Sequence, residues 1–491
     1  MVESARGCPF TWSIWRRHNS ASMNSLPNLP SAFAKESERA HLAPRIGLFD
    51  ATMIVMGGIV GSGIFINPYV VARQVHTPFL ILGAWAAGGV IAFLGAFIWA
   101  ELAARMPKVG GQYAYLREAY HPALAFLYGW VLLLVIQTGG MAAVAVTFAK
   151  YFLELTGFHL AEGLIATLAL VGLTLINCLG VRAGTAVQSL LMVLKILAIA
   201  GLVACGGWYL SRPGNPAAFA HEHFRLLDRP PSFGLFTAMG AALVPVLFAF
   251  GGWQTANFVA EEVREPRKNL PRALVAGVFG VIALYLSVNF VCVYVLGPAR
   301  LASTTTPASA VMLAAWGSKG AALIAVGIAI STLGFLSQSI LTAPRVYFAM
   351  AEDGLFFRSM AWLEPRHRVP VFAIALQGVA ATIIALSGRY DQILNYVVSM
   401  DFLFFGLTAT CLFVFRRRES RSGQSESPRG LARVPGHPWT TLFFALACWA
   451  VVLNTIYTYP RNTVVGFAIL FARIPMYFLW SRQKSKRSSQ P

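Results

Sequence analysis

The chain has 491 residues, of which 57% are hydrophobic and 12% charged, with a mean hydropathy of +0.62 and a formal net charge of +19. That apolar fraction exceeds what a soluble core uses and places the chain among polytopic membrane proteins. The basic excess lies along short loops, where it reports membrane topology and anionic headgroups; no nucleic-acid partner is implied.

Residues 1–45 mix Ser, Pro, Arg and Asn without an apolar run of signal-peptide length. They are expected to form a disordered cytoplasmic tail, with Met1 or Met23 as its start. Twelve mostly apolar segments follow, each about 18 to 25 residues and long enough to cross a bilayer. They start near Ile46, Phe79, Ala123, Glu162, Val187, Leu235, Ala273, Ala321, Val369, Ile393, Thr441 and Thr463. The expected organisation is a first five-helix unit over 46–210, a second over 235–415, a basic loop over 416–440, two more helices over 441–480 and a tail over 481–491. With the N-terminus in the cytoplasm, 28 of the 39 Lys and Arg fall on the cytoplasmic side and nine on the other, with Lys195 and Arg473 inside spans. This asymmetry places both termini in the cytoplasm, and the plasma (cell inner) membrane is the expected location.

The first span carries Gly57-Gly58-Ile59-Val60-Gly61-Ser62-Gly63-Ile64-Phe65. Each glycine inside a helix costs roughly 1 kcal/mol relative to alanine, so this cluster argues for an interrupted helix. Irregular backbone at membrane depth is tolerated where it lines a protein-enclosed cavity. A second interruption is expected at Phe248-Ala249-Phe250-Gly251-Gly252-Trp253-Gln254 in the sixth span. Five spans precede the sixth, so the two broken helices run in opposite directions, as an inverted repeat requires. A half-helix beginning near Ser62 turns the N–H groups of Ser62, Gly63 and Ile64 toward the gap, an anion site. Carbonyls at Ile59 and Val60, and at Phe248, Ala249 and Phe250, suit a cation. An anion site beside a cation site matches the α-carboxylate and α-ammonium of an amino acid, and Gly61 and Gly251 let backbone approach such a ligand.

Lys195 lies inside the fifth span, where an ammonium must be paired, face a cavity or snorkel to the interface. Asp401 in the tenth span is either a functional carboxylate or a packed structural one. Ser331 and Thr332 are candidates to face Lys195, and Ser337 and Gln338 to join helices. Glu261 and Glu262 are expected to bridge to Arg264, Arg267 and Lys268, with Glu101 on the same surface, while Tyr113 and Tyr115 anchor an interfacial helix. The scattered cysteines form no CxxC pair, no histidine sits mid-span, and HExxH, GxSxG and P-loop motifs are absent. No enzyme, metal or cofactor is expected. No acidic residue sits in either break, which favours neutral amino acids; a polyamine or cationic amino-acid antiporter is the alternative, and a nutrient sensor a further one.

Gly61 to Phe65, Ala100-Glu101-Leu102, Gly110 to Tyr115, Asn177-Cys178 with Val181, Phe248 to Trp253, Glu261-Glu262 and Asn269-Leu270-Pro271 together resemble the amino acid/polyamine/organocation superfamily. The likeness is greatest to the L-type amino-acid transporters and bacterial exchangers and permeases. It implies an all-α fold of twelve helices, a five-plus-five inverted repeat with discontinuous helices 1 and 6 plus two extra helices, working by alternating access as a sodium-independent exchanger or proton symporter. Through it, Ser62 and Gly63 would hold the substrate carboxylate, Ile59, Phe248 and Phe250 would offer carbonyls to the amine, Phe248 would gate the site, and Trp253 would line it. Lys195, near Ser331, would stand in for a sodium ion. Leu153 to Gly163 lacks the cysteine through which animal L-type proteins join an accessory chain, so no disulfide-linked subunit is expected.

Overall fold

The computed structural model describes residues 42–213, 226–227, 230–387, 390–421, 432–458, 460–478 and 480; side chains of 390–398 and a few around 458–469 are outside the description. The tails over 1–41 and 481–491 lie outside it too. The described residues are all-helical, with a lone bridge between Ile46 and Val263. The first crossing is split into α1 (Leu48–Ile59) and α2 (Gly63–Ala72). Next come α3 (Pro78–Arg105), the short α4 (Gln112–Ala119), and α5 (Pro122–Val131), which passes through a π-helical turn (Leu132–Gln137) into α6 (Thr138–Thr156). The helices α7 (Glu162–Cys178) and α8 (Val181–Leu210) complete the first half. The sixth crossing is α9 (Phe233–Phe250) followed by a 3₁₀ stretch (Trp253–Glu262). Beyond it lie α10 (Pro266–Leu296), α11 (Pro298–Ser303), α12 (Pro307–Thr342), α13 (Pro344–Glu352), α14 (Val371–Leu386), α15 (Tyr390–Arg421), α16 (Trp439–Thr458) and α17 (Pro460–Phe471).

Nine of these stretches are long and apolar enough to cross a membrane, and α7 and α14 are shorter apolar helices. With α17, they occupy the twelve segments expected from sequence. Several helices start earlier than hydropathy placed them, because they project past the apolar layer: α10 begins at Pro266, whose missing N–H is harmless at a helix start. The eighth crossing begins at Pro307 and bends at Gly317, whose φ of 69° no other residue adopts easily. The basic loop starts later than expected, since Arg416 to Arg418 are still helical. Residues 42–45 are also no loose tail: Leu42 is buried, and the N–H groups of Arg45 and Ile46 donate to the Glu262 carbonyl.

The N-terminal half of the first crossing, α1, packs on the 3₁₀ half of the sixth, while α2 packs on α9. First half therefore meets second half, so the two broken elements lie antiparallel with their breaks side by side. Around them stand α3, α8, α10 and α12. Exposed Leu, Phe and Val side chains such as Leu168, Leu175, Phe279 and Ile383 cover the outer surfaces of α7, α10 and α14, as a lipid-facing wall requires.

Candidate functional site

The two breaks touch backbone to backbone. Helix α1 ends at Ile59 and Val60 turns extended, while α9 ends at Phe250 and Gly252 adopts φ 112°. A Cβ on Gly252 would stand 2.0 Å from the Gly58 carbonyl oxygen, and one on Gly58 2.7 Å from the Gly252 oxygen. Only glycine at both positions permits this approach. Tyr285 on α10 ties the breaks together, its hydroxyl 3.1 Å from the Ile59 oxygen and 3.2 Å from the Ala249 oxygen. Asn67 on α2 adds a 2.7 Å hydrogen bond to the Pro245 carbonyl.

The carbonyls that end α1 are thus partly occupied by the protein itself. Lys195 is fully buried and donates to the Val60 carbonyl; it does not snorkel. The Ser331 hydroxyl donates to the Gly61 oxygen at 3.1 Å. Gly334 lies against the lysine, and a Cβ there would sit 3.2 Å from Nζ. The first break is therefore held open by one ammonium and one hydroxyl, from α8 and α12. Thr332 bonds within its own helix instead of facing Lys195. Helix α2 starts at Gly63 with no side-chain cap, which leaves its first N–H groups facing the gap.

Against these breaks lies a cavity of about 650 Å³. Its floor is Gly58, Ile59, Gly252, Thr255 and Gln338, and it runs to Lys150, Glu154, Thr305 and Thr306, which are exposed, so it opens on the face bearing the α6 C-terminus. Of the sequence-expected residues, Ile59, Gly61, Ser62, Gly63, Phe248, Ala249 and Gly251 line it. Ile64, Phe250 and Trp253 do not: each is buried, Phe250 against Trp85 and Tyr285, Trp253 among Trp99, Phe405 and Phe444. Beyond the 3.6-residue period, the π-helical turn brings Ile136 and Gln137 to the wall, a device found often at functional sites. Asp401, Phe402, Phe405 and Phe335 complete it.

The opposite face is shut. The Gln338 amide donates to the Thr255 hydroxyl at 2.5 Å directly below the cavity floor. Deeper, Arg345 on α13 grips the Glu262 carboxylate through two hydrogen bonds of 2.6 and 3.1 Å, both side chains almost fully buried. Glu262 is thereby committed to Arg345 and not to its charged neighbours, while Glu261 accepts from the Val109 N–H. Glu101 belongs to a separate cluster, holding Arg105 and Arg416 and accepting from the Val434 N–H. Tyr113 is no interfacial anchor: it and Arg117 both donate to Asp353, and Tyr115 is buried beside it. Burial works against the charge on Arg117, but Asp353 and Glu118 outweigh it and hold the guanidinium above its usual pKa. Sequence reasoning missed Arg345 and Tyr285 because each acts on another helix, across 36 to 226 residues, and neither sits in a motif.

A family model described as amino acid permease matches residues 46–480. The chain is 30% identical over 452 residues to the serine/threonine exchanger SteT of Bacillus subtilis, covering 90% of this chain and 98% of that protein. It is 31% identical over 455 residues to the human large neutral amino acids transporter small subunit 2, covering 89% and 80% respectively. To the rabbit b(0,+)-type amino acid transporter 1 it is 31% identical over 393 residues, 78% of each chain.

Proposed function

Because the chain belongs to the amino acid permease family, we propose that the cavity between its broken helices is the binding site of an amino-acid transporter that works by alternating access. The observation that carries this reading is the pair of abutting breaks on the cavity floor, which presents uncapped N–H groups from α2 within the same wall as carbonyls from α1 and α9. These bind an α-carboxylate and an α-ammonium without regard to the side chain. Ser62 and Gly63 hold the carboxylate; Ile59 and Phe248 offer carbonyls to the amine, and Phe248, part-exposed to the cavity, gates it. The apolar walls at Ile136, Val144, Phe335, Phe402 and Phe405 favour neutral amino acids, in keeping with the relatives' names.

The structure is then an outward-open state: the face with the basic loops is cytoplasmic, both termini lie there, and the membrane is the plasma membrane. Lys195 supplies at Val60 the positive charge that an ion would otherwise bring, so transport is sodium-independent, by exchange or proton symport. The connection Leu153 to Gly163 has no cysteine, so no subunit is disulfide-linked there. Asp401 on the wall favours a second reading, a cationic amino-acid or polyamine antiporter.

Counterflow tests the proposal. Proteoliposomes holding the full chain and preloaded with unlabelled leucine or threonine should take up the labelled amino acid faster than empty ones, with or without sodium. Entry of putrescine alone would replace the first reading with the second, and no entry of any of these would remove both.

A further inference from the structure

Among the described residues, polar groups on the cavity wall lack a protein partner, Gln137, Ser339 and Asp401 among them. Gln137, 7% exposed, ends the π-helical turn, and its amide nitrogen meets no acceptor. Asp401 is on α15, which packs on that turn, and its carboxylate has no hydrogen bond or ion pair among the described residues. Lys195 cannot serve it, being engaged at Val60. The titratable groups that feel Asp401 are Tyr128 on α5 and Cys448 on α16, neutral acids that bring no positive charge. On the other packed elements, Glu101 and Arg105 of α3 and Arg117 and Glu118 of α4 are tied into ion pairs on the closed face, and residues 464–471 of α17 carry no ionisable group. Lys150, Tyr151 and Glu154 of α6 stand at the mouth.

While the cavity is open, solvent hydrates this carboxylate. Closure strips the water away and leaves an uncompensated charge inside a membrane, which is strongly disfavoured. A zwitterion held at the breaks has no net charge with which to offset it. We propose that Asp401 is a second cation subsite that takes up one positive charge before the cavity closes over a substrate. This rests on the zwitterion reading of the breaks. The charge has two possible carriers: a proton travelling with a neutral amino acid, released on the other side, or the side-chain ammonium or guanidinium of a basic amino acid reaching Asp401.

Proteoliposomes of the full chain, with membrane potential clamped, separate these carriers. If the proton is the carrier, an inward gradient of one pH unit drives leucine accumulation up to about tenfold, the limit for one proton moved per substrate. If the side chain is the carrier, leucine uptake ignores the gradient and lysine or arginine competes for it. Asp401→Asn, which keeps size but loses charge, should abolish whichever response is found, and Asp401→Glu should restore part of it. Wild-type leucine uptake indifferent both to the gradient and to basic amino acids would overturn the subsite, as would an Asn variant that retains the wild-type response. Absence of leucine counterflow in wild-type protein at equal pH would instead fail the zwitterion site itself.

Discussion

The two ends of the paired broken helices are built from opposite materials. Toward the open face, the breaks meet a cavity whose wall carries the Asp401 carboxylate and, among the described residues, the unpartnered Gln137 amide nitrogen, between aromatic rings. Toward the closed face, charged side chains are paired, Arg345 with Glu262, Arg105 and Arg416 with Glu101 and Arg117 with Asp353, and Gln338 bonds Thr255. Alternating access requires that this difference be reversible. The closed face is held by directional hydrogen bonds and ion pairs, which separate in discrete steps, while the floor where the two faces meet is held by glycine backbone, which fixes a pivot without bulk.

The comparison breaks most completely at the floor. Gly252→Ala puts a Cβ where the Gly58 oxygen is and forces a left-handed conformation that alone costs about 1–2 kcal/mol. The two breaks can then no longer touch, and counterflow should fall to background with a large drop in melting temperature. Near-normal counterflow would show that backbone contact between the breaks is dispensable.

Next in size is the closed face. Arg345→Met strands the buried Glu262 carboxylate and should destabilise by about 3–5 kcal/mol, read by denaturant unfolding in detergent. Pairing it with Glu262→Leu should recover most of that loss, since two apolar groups bury more easily than one unpaired charge. If the face also governs access, the double variant should shift toward the inward-open state, which cysteine accessibility along α1 would detect. Lys195→Ala comes third: insertion should proceed, because the lysine contributes one interaction at Val60, whereas uptake should be lost as the break loses its ammonium. Full uptake in that variant would take Lys195 out of the mechanism.

How much of this was legible in sequence follows from the range of each interaction. The twelve helices and both breaks were readable because apolar length and glycine clusters are local signals, and the antiparallel pairing followed from the even number of spans, four, that intervene. The lining residues Ser62, Gly63 and Phe248 were readable for the same reason, as direct neighbours of the breaks. Trp253 and Phe250 were expected on the cavity wall and lie behind it: the positive φ at Gly252 turns the following 3₁₀ stretch and its tryptophan toward Trp99 and Phe444, while Phe250, still in α9, packs on Trp85 and Tyr285. Tyr285, Arg345 and the Gln338–Thr255 bond depend on which helix faces follow which, and nothing in a single span encodes that. Gln137 reaches the wall through a π-helical turn, which a 3.6-residue period does not anticipate.

The weakest test sharpens the comparison by changing burial while keeping charge. Glu265 and Lys268 form an ion pair of 2.9 Å on the same closed face, but both side chains are more than two-thirds exposed. Lys268→Ala should therefore leave melting temperature and counterflow unchanged within error, since water and salt compete for both partners. The contrast with Arg345 isolates burial as the property that closes this face. A loss at Lys268 comparable to that at Arg345 would mean that the basic excess there acts collectively, through its field on the headgroups, and that the buried pair is only one contributor to it.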